Sequence, residues 1–276
     1  SMASLILEEN GKRMILLPGP PNELHPLFEQ QVKPYLQKLS PEIFYSRTVK
    51  LCGIGESKAA AMIQDMIDAQ TNPTIAPYAK TGEVHLRVTA RAKDEQEGKK
   101  LVKPVIRELK KRFGEMVYTT KEERTLEEAV VKLLKKNKMS ITCAESCTGG
   151  LLAGRIVNVA GASSVFQTGY VTYANQAKRR LLGVKKSTLR EFGAVSTQTA
   201  KEMASGALAA AKADVAVSIT GIAGPDGGTA RKPVGLVYIG CSVQEHTIAQ
   251  EYRFSGNREK IRDNAVSAAL TLTRRC

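Results

Sequence analysis

The stretch that most constrains this chain is Cys143-Ala144-Glu145-Ser146-Cys147-Thr148-Gly149-Gly150. It follows a short strand-like run at 139–142. It leads into a segment whose apolar residues, Leu151, Leu152, Ile156 and Val157, recur at helical spacing. A strand that ends in small residues and glycines just before a helix presents backbone N–H groups to an anion, so Ser146 reads from this stretch alone either as a phosphate ligand or as a nucleophile. Such a junction needs a sheet to hold the strand and a helix layer to cover it.

The pattern downstream supplies both. Strands are expected at 169–173, 215–220, 234–243 and 247–254, and helices at 150–159, 175–182, 197–211 and 258–273. Thr125-Leu126-Glu127-Glu128 carries a capping-box start for a helix reaching about residue 136. The expected architecture is an α/β sandwich: a mixed sheet with a hairpin among its later strands and helices on both faces.

Upstream, the order of elements differs. A strand at 44–54, a helix opened by Gly55-Glu56-Ser57, an extended stretch at 73–77, an amphipathic strand at 83–90, a helix at 94–113 and a short strand at 117–118 read β-α-β-β-α-β, a small α+β module. Pro104 falls inside the long helix, where it predicts a kink or a later start. Before this module, two apolar runs flank Asn10-Gly11 as a hairpin, and Asn22 is placed to cap a helix reaching residue 39. One hairpin and one helix cannot form an α/β core, so 1–40 reads as the tail of a larger domain, 41–120 as the α+β module and 121–276 as the sandwich. Ser1-Met2 reads as an expression scar.

Composition narrows function less. The formal net charge is +14. This suits solvated lysines, an anionic small substrate or a nucleic acid, but no arginine-rich tail or basic-aromatic platform points to the last. No apolar run is long enough to span a bilayer, and 1–21 lacks a basic start followed by an apolar block, so a cytoplasmic protein is expected. The 5 cysteines form no CxxC and the 3 histidines are scattered, which gives no zinc spacing.

Three stretches are placed to meet at strand ends: Glu145 to Gly150, Tyr170 to Lys178, and Ser218-Ile219-Thr220-Gly221-Ile222-Ala223-Gly224-Pro225-Asp226-Gly227-Gly228. A serine nucleophile needs a base, and no histidine lies near these loops. A lysine of depressed pKa, relayed through a tyrosine hydroxyl, serves instead. Ser146, Tyr173 and Lys178 are the candidates, with Arg258 at a helix start to hold a phosphate. Each also has a plain structural reading: Ser146 as a helix cap, Cys147 as small packing, Tyr173 as a core ring, Lys178 as the polar face of a helix. Glu145 reads as a base or as the partner of a lysine. No GxGxxG or GKS/T fingerprint is present.

Together these pieces resemble the CinA family. The matching strings are AESCTGG (144–150), GYVTYANQAKRRLLGV (169–184), GAVS (193–196), SITGIAGPDGG (218–228), KPVGLVYIG (232–240) and FSGNREKIR (254–262). Residues 44–120 are similar to the KH-type middle domain of that family, although no GxxG loop of the RNA-gripping kind is present. Leu16-Leu17-Pro18-Gly19-Pro20-Pro21-Asn22-Glu23-Leu24 resembles the end of its molybdopterin-binding-like N-terminal domain. That domain is linked in the family to ADP-ribose pyrophosphatase activity, which is not expected of this chain. The C-terminal part resembles the nicotinamide-nucleotide amidases. This implies hydrolysis of nicotinamide mononucleotide to nicotinic acid mononucleotide and ammonia, with no metal or cofactor. Ser146 is then the nucleophile, with Lys178 and Tyr173 activating it and moving the proton. Thr148, Gly149, Gly150, Thr220 and Gly221 would hold the oxyanion or the ribose phosphate, and Arg258 the phosphate. A homodimer is expected from the resemblance alone. The other reading is a nucleotide- or nucleic-acid-binding adaptor linked to competence or DNA damage, carried by charge and the middle module but by no motif.

Overall fold

The computed structural model describes residues 5–276. The reading of Ser1-Met2 lies outside the described residues. Strands β1 (Leu5–Glu9) and β2 (Lys12–Leu16) form the expected hairpin, with Asn10 and Gly11 both at positive φ in the turn. Helices α1 (Pro21–Leu27) and α2 (Lys33–Leu39) follow, joined through a π-turn at Phe28–Val32. Asn22 does not cap. The helix already starts at Pro21, whose fixed φ suits a first helical position, and Asn22 lies within it.

The second unit comprises β3 (Ile43–Cys52), α3 (Glu56–Ala61), α4 (Gln64–Asp68), β4 (Thr74–Lys80), β5 (Glu83–Ala92), α5 (Glu95–Phe113) and β6 (Val117–Thr119). Its antiparallel sheet runs β4-β5-β3-β6. The alternation expected for β5 is present: Val84, Leu86, Val88 and Ala90 are buried against the helices, while Arg87 and Arg91 are exposed. Helix α5 starts before Pro104 and continues through it, its first turn held by Asp94, whose side chain accepts from the Glu97 N–H. The helix expected to open at Gly55-Glu56-Ser57 is broken into α3 and α4 at Met62 and Ile63.

The third unit comprises α6 (Leu126–Asn137), β7 (Ile141–Glu145), α7 (Leu151–Val157), β8 (Phe166–Val171), α8 (Asn175–Leu182), α9 (Lys186–Glu191), α10 (Thr197–Ala211), β9 (Val215–Gly221), β10 (Leu236–Val243), β11 (His246–Arg253) and α11 (Arg258–Thr273). The mixed sheet has the order β11-β10-β9-β7-β8, with β8 and β9 parallel to β7, and β9, β10 and β11 successively antiparallel. Period-two alternation divides the core. Ile141, Cys143, Val215, Val217 and Ile219 face α6, α7 and α11, whereas Ala144 and Ala216 face Met203 and Ala207 of α10.

That second face is built from small residues because α10 lies very close to the sheet. A Cβ on Gly240 would come within 2.6 Å of the Ala200 carbonyl oxygen, and Ser218 Oγ donates to the same carbonyl at 2.6 Å. One consequence of this topology positions the site. Parallel β8, β7 and β9 lie side by side, so their carboxyl ends open at one edge of the sheet.

Candidate functional site

At that edge the end of β7 carries Ser146, the end of β8 carries Thr172 and Tyr173, and the end of β9 carries Gly221 to Gly224. A pocket of about 260 Å³ opens among them, lined by Ser146, Tyr173, Lys178, Thr220, Gly221 and Arg258, among others. Ser146 is fixed in the sheet by its own N–H, which donates to the Ile219 carbonyl at 2.9 Å.

Lys178 sits on the first turns of α8, folded back under the end of β8 and only 1% exposed. Its Nζ donates to Ser146 Oγ at 2.9 Å, to the Thr172 carbonyl at 2.7 Å and to the Tyr173 carbonyl at 3.1 Å. Among the described residues no carboxylate is a partner of Lys178. Burial therefore lowers its pKa from 10.5 to about 8, with Cys147 acting weakly the other way. The arrangement places a lysine that can be neutral near physiological pH against a serine hydroxyl at a strand end. In it, Lys178 can accept the Ser146 proton.

Cys147, beside Ser146, stays a thiol: burial pushes its pKa up to about 11. The Cys143 thiol, deeper in the sheet, is also pushed up, by burial and by the neighbouring Glu145.

Glu145 is neither a base nor a lysine's partner. Its side chain is fully buried and accepts the N–H groups of Gly150 at 3.0 Å, Leu152 at 3.1 Å and Ala153 at 2.8 Å, so it caps α7 from beneath. This alters the role expected of the glycine turn. The Gly149 N–H donates to the Ser146 carbonyl and the Gly150 N–H to Glu145, and neither glycine lines the pocket. With φ of +59° and +102°, they form the sharp turn that delivers the chain from β7 into α7. Thr148 is fully buried and its Oγ1 has no hydrogen-bond partner among the described residues. The expected cradle of Thr148, Gly149 and Gly150 is thus a scaffold for Ser146, because its donors are already in use or buried. The Ala223 and Gly224 N–H groups, in contrast, make no hydrogen bond among the described residues, and both residues line the pocket.

Tyr173 also differs from the expected relay. Its side chain is 64% exposed and its hydroxyl lies 3.5 Å from Arg258 Nη2, while Lys178 uses the Tyr173 backbone carbonyl. Arg258 stands at the first position of α11, with Nη1 donating to the Gly224 carbonyl at 2.7 Å. Thr220 lines the pocket, but its Oγ1 donates to the Ala194 carbonyl at 2.7 Å, fastening the 193–196 loop to β9. A Cβ on Gly221 would come within 2.8 Å of the Leu236 carbonyl oxygen, so its smallness serves the sheet as well as the pocket.

Two cations that the sequence reading passed over hold the walls. Arg262 donates from Nε to the Cys147 carbonyl at 3.0 Å and from Nη2 to the Thr148 carbonyl at 2.9 Å, gripping the loop that carries Ser146. It lies four residues after Arg258 on one helix, a spacing that puts both side chains on the same face. Lys232 Nζ donates to the carbonyls of Phe192 and Val195 at 2.6 and 2.7 Å.

Fold and site define a class: an α/β sandwich joined to a small α+β module, with a buried serine–lysine pair at the carboxyl ends of its parallel strands. The profile of the CinA C-terminal domain matches residues 123–276, and that of the damage-inducible protein CinA KH domain matches 46–119. This chain belongs to the CinA family. It is similar to a CinA-like protein of Kosmotoga olearia, 50% identical over 270 residues, covering 98% of this chain and 65% of that one. It is also similar to a CinA-like protein of Dictyoglomus turgidum, 49% identical over 271 residues, covering 98% and 66%. The chain thus spans about two thirds of the length of these relatives. Among solved structures, the competence/damage inducible protein CihA from Agrobacterium tumefaciens is 45% identical with a TM-score of 0.52, over 53% of this chain and 90% of that one. A competence-damaged protein (CinA) superfamily protein from Escherichia coli is 32% identical with a TM-score of 0.53, over 59% and 98%. Among the described residues no helix is long and apolar enough to cross a membrane.

Proposed function

We propose that this chain is a nicotinamide-nucleotide amidase that hydrolyses nicotinamide mononucleotide to nicotinic acid mononucleotide and ammonia. The observation that carries the reading is the 2.9 Å contact between Lys178 Nζ and Ser146 Oγ, made by a lysine that is buried without a counter-charge. In the proposed reaction, neutral Lys178 takes the Ser146 proton as Oγ adds to the carboxamide carbon. It then returns that proton to the departing ammonia, leaving an acyl ester on Ser146. Water, deprotonated by the same amine, attacks the ester, and the proton passes back to Oγ as the acid leaves. The N–H groups of Ala223 and Gly224 would receive negative charge that develops in the pocket, and Arg258 would hold the phosphate. Tyr173, lying against Arg258, would close the phosphate side of the pocket, a positioning role in place of the relay. The choice of nicotinamide mononucleotide rests on the resemblance of the motif strings to the amidase branch of the family.

The test is ammonia release from nicotinamide mononucleotide, first without added metal and then with a chelator. Release that survives chelation and disappears in Ser146→Ala is the expected outcome. Oγ makes a single side-chain contact, so this variant should keep its melting temperature. Unchanged turnover in Ser146→Ala would refute the proposal.

A further inference from the structure

Where the α+β module meets the sandwich, two close backbone approaches bracket a cavity of about 530 Å³. At one edge Gly53, with φ +73°, lies so near α11 that a Cβ would fall 2.6 Å from Arg275 Nη2 and 3.0 Å from Thr271 Cγ2. At the other edge Gly82, with φ +71°, would overlap Ser267 if it carried a Cβ. Between these contacts the two domains stand apart. Asn264, Ala268 and Thr271 share one face of α11 and look across the gap towards Ile54, Gly55 and Val84. Alternate residues Tyr252 and Phe254 form another wall, their rings stacked with centroids 5.6 Å apart and planes 12° apart.

Glu83 and Gln250, which also line the cavity, are already paired with Tyr118 and Tyr252, but four other polar groups there are free, three of them on its solvent-exposed rim. The Arg275 guanidinium, the Lys80 ammonium, the Asn264 amide and the Glu56 carboxylate make no hydrogen bond or ion pair among the described residues. An interdomain cavity of this size, aromatic on one wall and lined by a few polar groups, has the usual form of a small-molecule site. The chemistry of each group narrows the ligand. Aromatic rings stack a flat base. An unpaired amide offers a donor and an acceptor to a base edge. A carboxylate accepts ribose hydroxyls. A guanidinium with an ammonium takes a phosphate. We propose that this cavity binds a nucleoside monophosphate and thereby fastens the α+β module to the sandwich. The cavity shares no lining residue with the Ser146 pocket, so the proposal stands apart from the amidase reading.

The experiment is a calorimetric titration of the whole chain with adenosine 5′-monophosphate at low ionic strength, which is expected to show one site per chain. Gly55→Phe is the blocking variant. Gly55 lines the cavity, has φ −82° and a Cβ there meets nothing within 4 Å, so a ring at its rim is accommodated without backbone strain. Gly55→Phe is expected to abolish binding while leaving both the ligand-free melting temperature and ammonia release unchanged. Arg275→Ala is expected to weaken binding by about tenfold, the effect of one charge-assisted contact. No binding at millimolar nucleotide overturns the proposal, as does binding that survives both variants. Binding lost in Lys178→Met but kept in Gly55→Phe places the nucleotide in the Ser146 pocket and also overturns it.

Discussion

The pKa of Lys178 makes the amidase reading quantitative. Only the neutral amine can take the Ser146 proton, and burial brings its pKa from 10.5 to about 8. At pH 7 about 10% of such a lysine is neutral, against about 0.03% at the usual value, a gain of roughly 300-fold in competent enzyme. The ratio kcat/KM for ammonia release from nicotinamide mononucleotide should therefore rise about tenfold per pH unit below pH 8 and flatten above it. Cys147 does not blur this limb, because its own pKa lies near 11. Lys178→Arg removes the base while keeping the charge, since a guanidinium stays protonated. Its activity should fall by about 10²–10⁴-fold across the whole range, the usual contribution of a positioned general base. A profile that is flat between pH 6 and 9, one that falls as pH rises through 8, or an arginine variant with wild-type rates would refute the assignment of Lys178 as the base.

Three further outcomes follow from other contacts. Arg262→Gln frees the Cys147 and Thr148 carbonyls, so stability should drop by about 1–3 kcal/mol and kcat should fall more than KM changes; steady-state kinetics beside a urea melt separate the two effects. Gly206→Ala would ordinarily strengthen a helix by about 1 kcal/mol, yet here a Cβ overlaps the Leu182 carbonyl, so the melting temperature should fall instead. Lys178 also links stability to pH. Its folded pKa is below its unfolded value, so at this site the unfolded chain binds more protons between about 8 and 10.5, and Lys178 contributes up to about 3 kcal/mol of stability as pH rises through that window, against the opposite contribution of the buried Cys143 and Cys147 thiols. Chemical denaturation at pH 8 and 10 should therefore show wild type gaining about 2 kcal/mol relative to Lys178→Met, and a difference between the two that does not change with pH would refute the burial argument.

Order and type of most elements were legible in the sequence because they depend on neighbours. Apolar spacing along Leu151 to Val157 and alternation along Val84 to Ala90 are set within a few residues of each other. The capping box of Thr125 and Glu128 is equally local, and the structure has it. Helix α9 escaped notice, being six residues long with a single leucine as its apolar signal. What the tertiary structure alone decided is which polar residues lose their water. In sequence Lys178 reads as the outer face of an amphipathic helix; in the fold it is sealed beneath the end of β8 against a serine 32 residues away. Tyr173, whose ring could equally have entered the core, turns outward to Arg258, 85 residues distant. Glu145 could read as a base until three backbone N–H groups of α7 closed around its carboxylate. Periodicity records which side of an element is apolar. The pKa and partners of a buried group depend on the desolvation and the donors that distant segments bring to it, and those are fixed only when the chain folds.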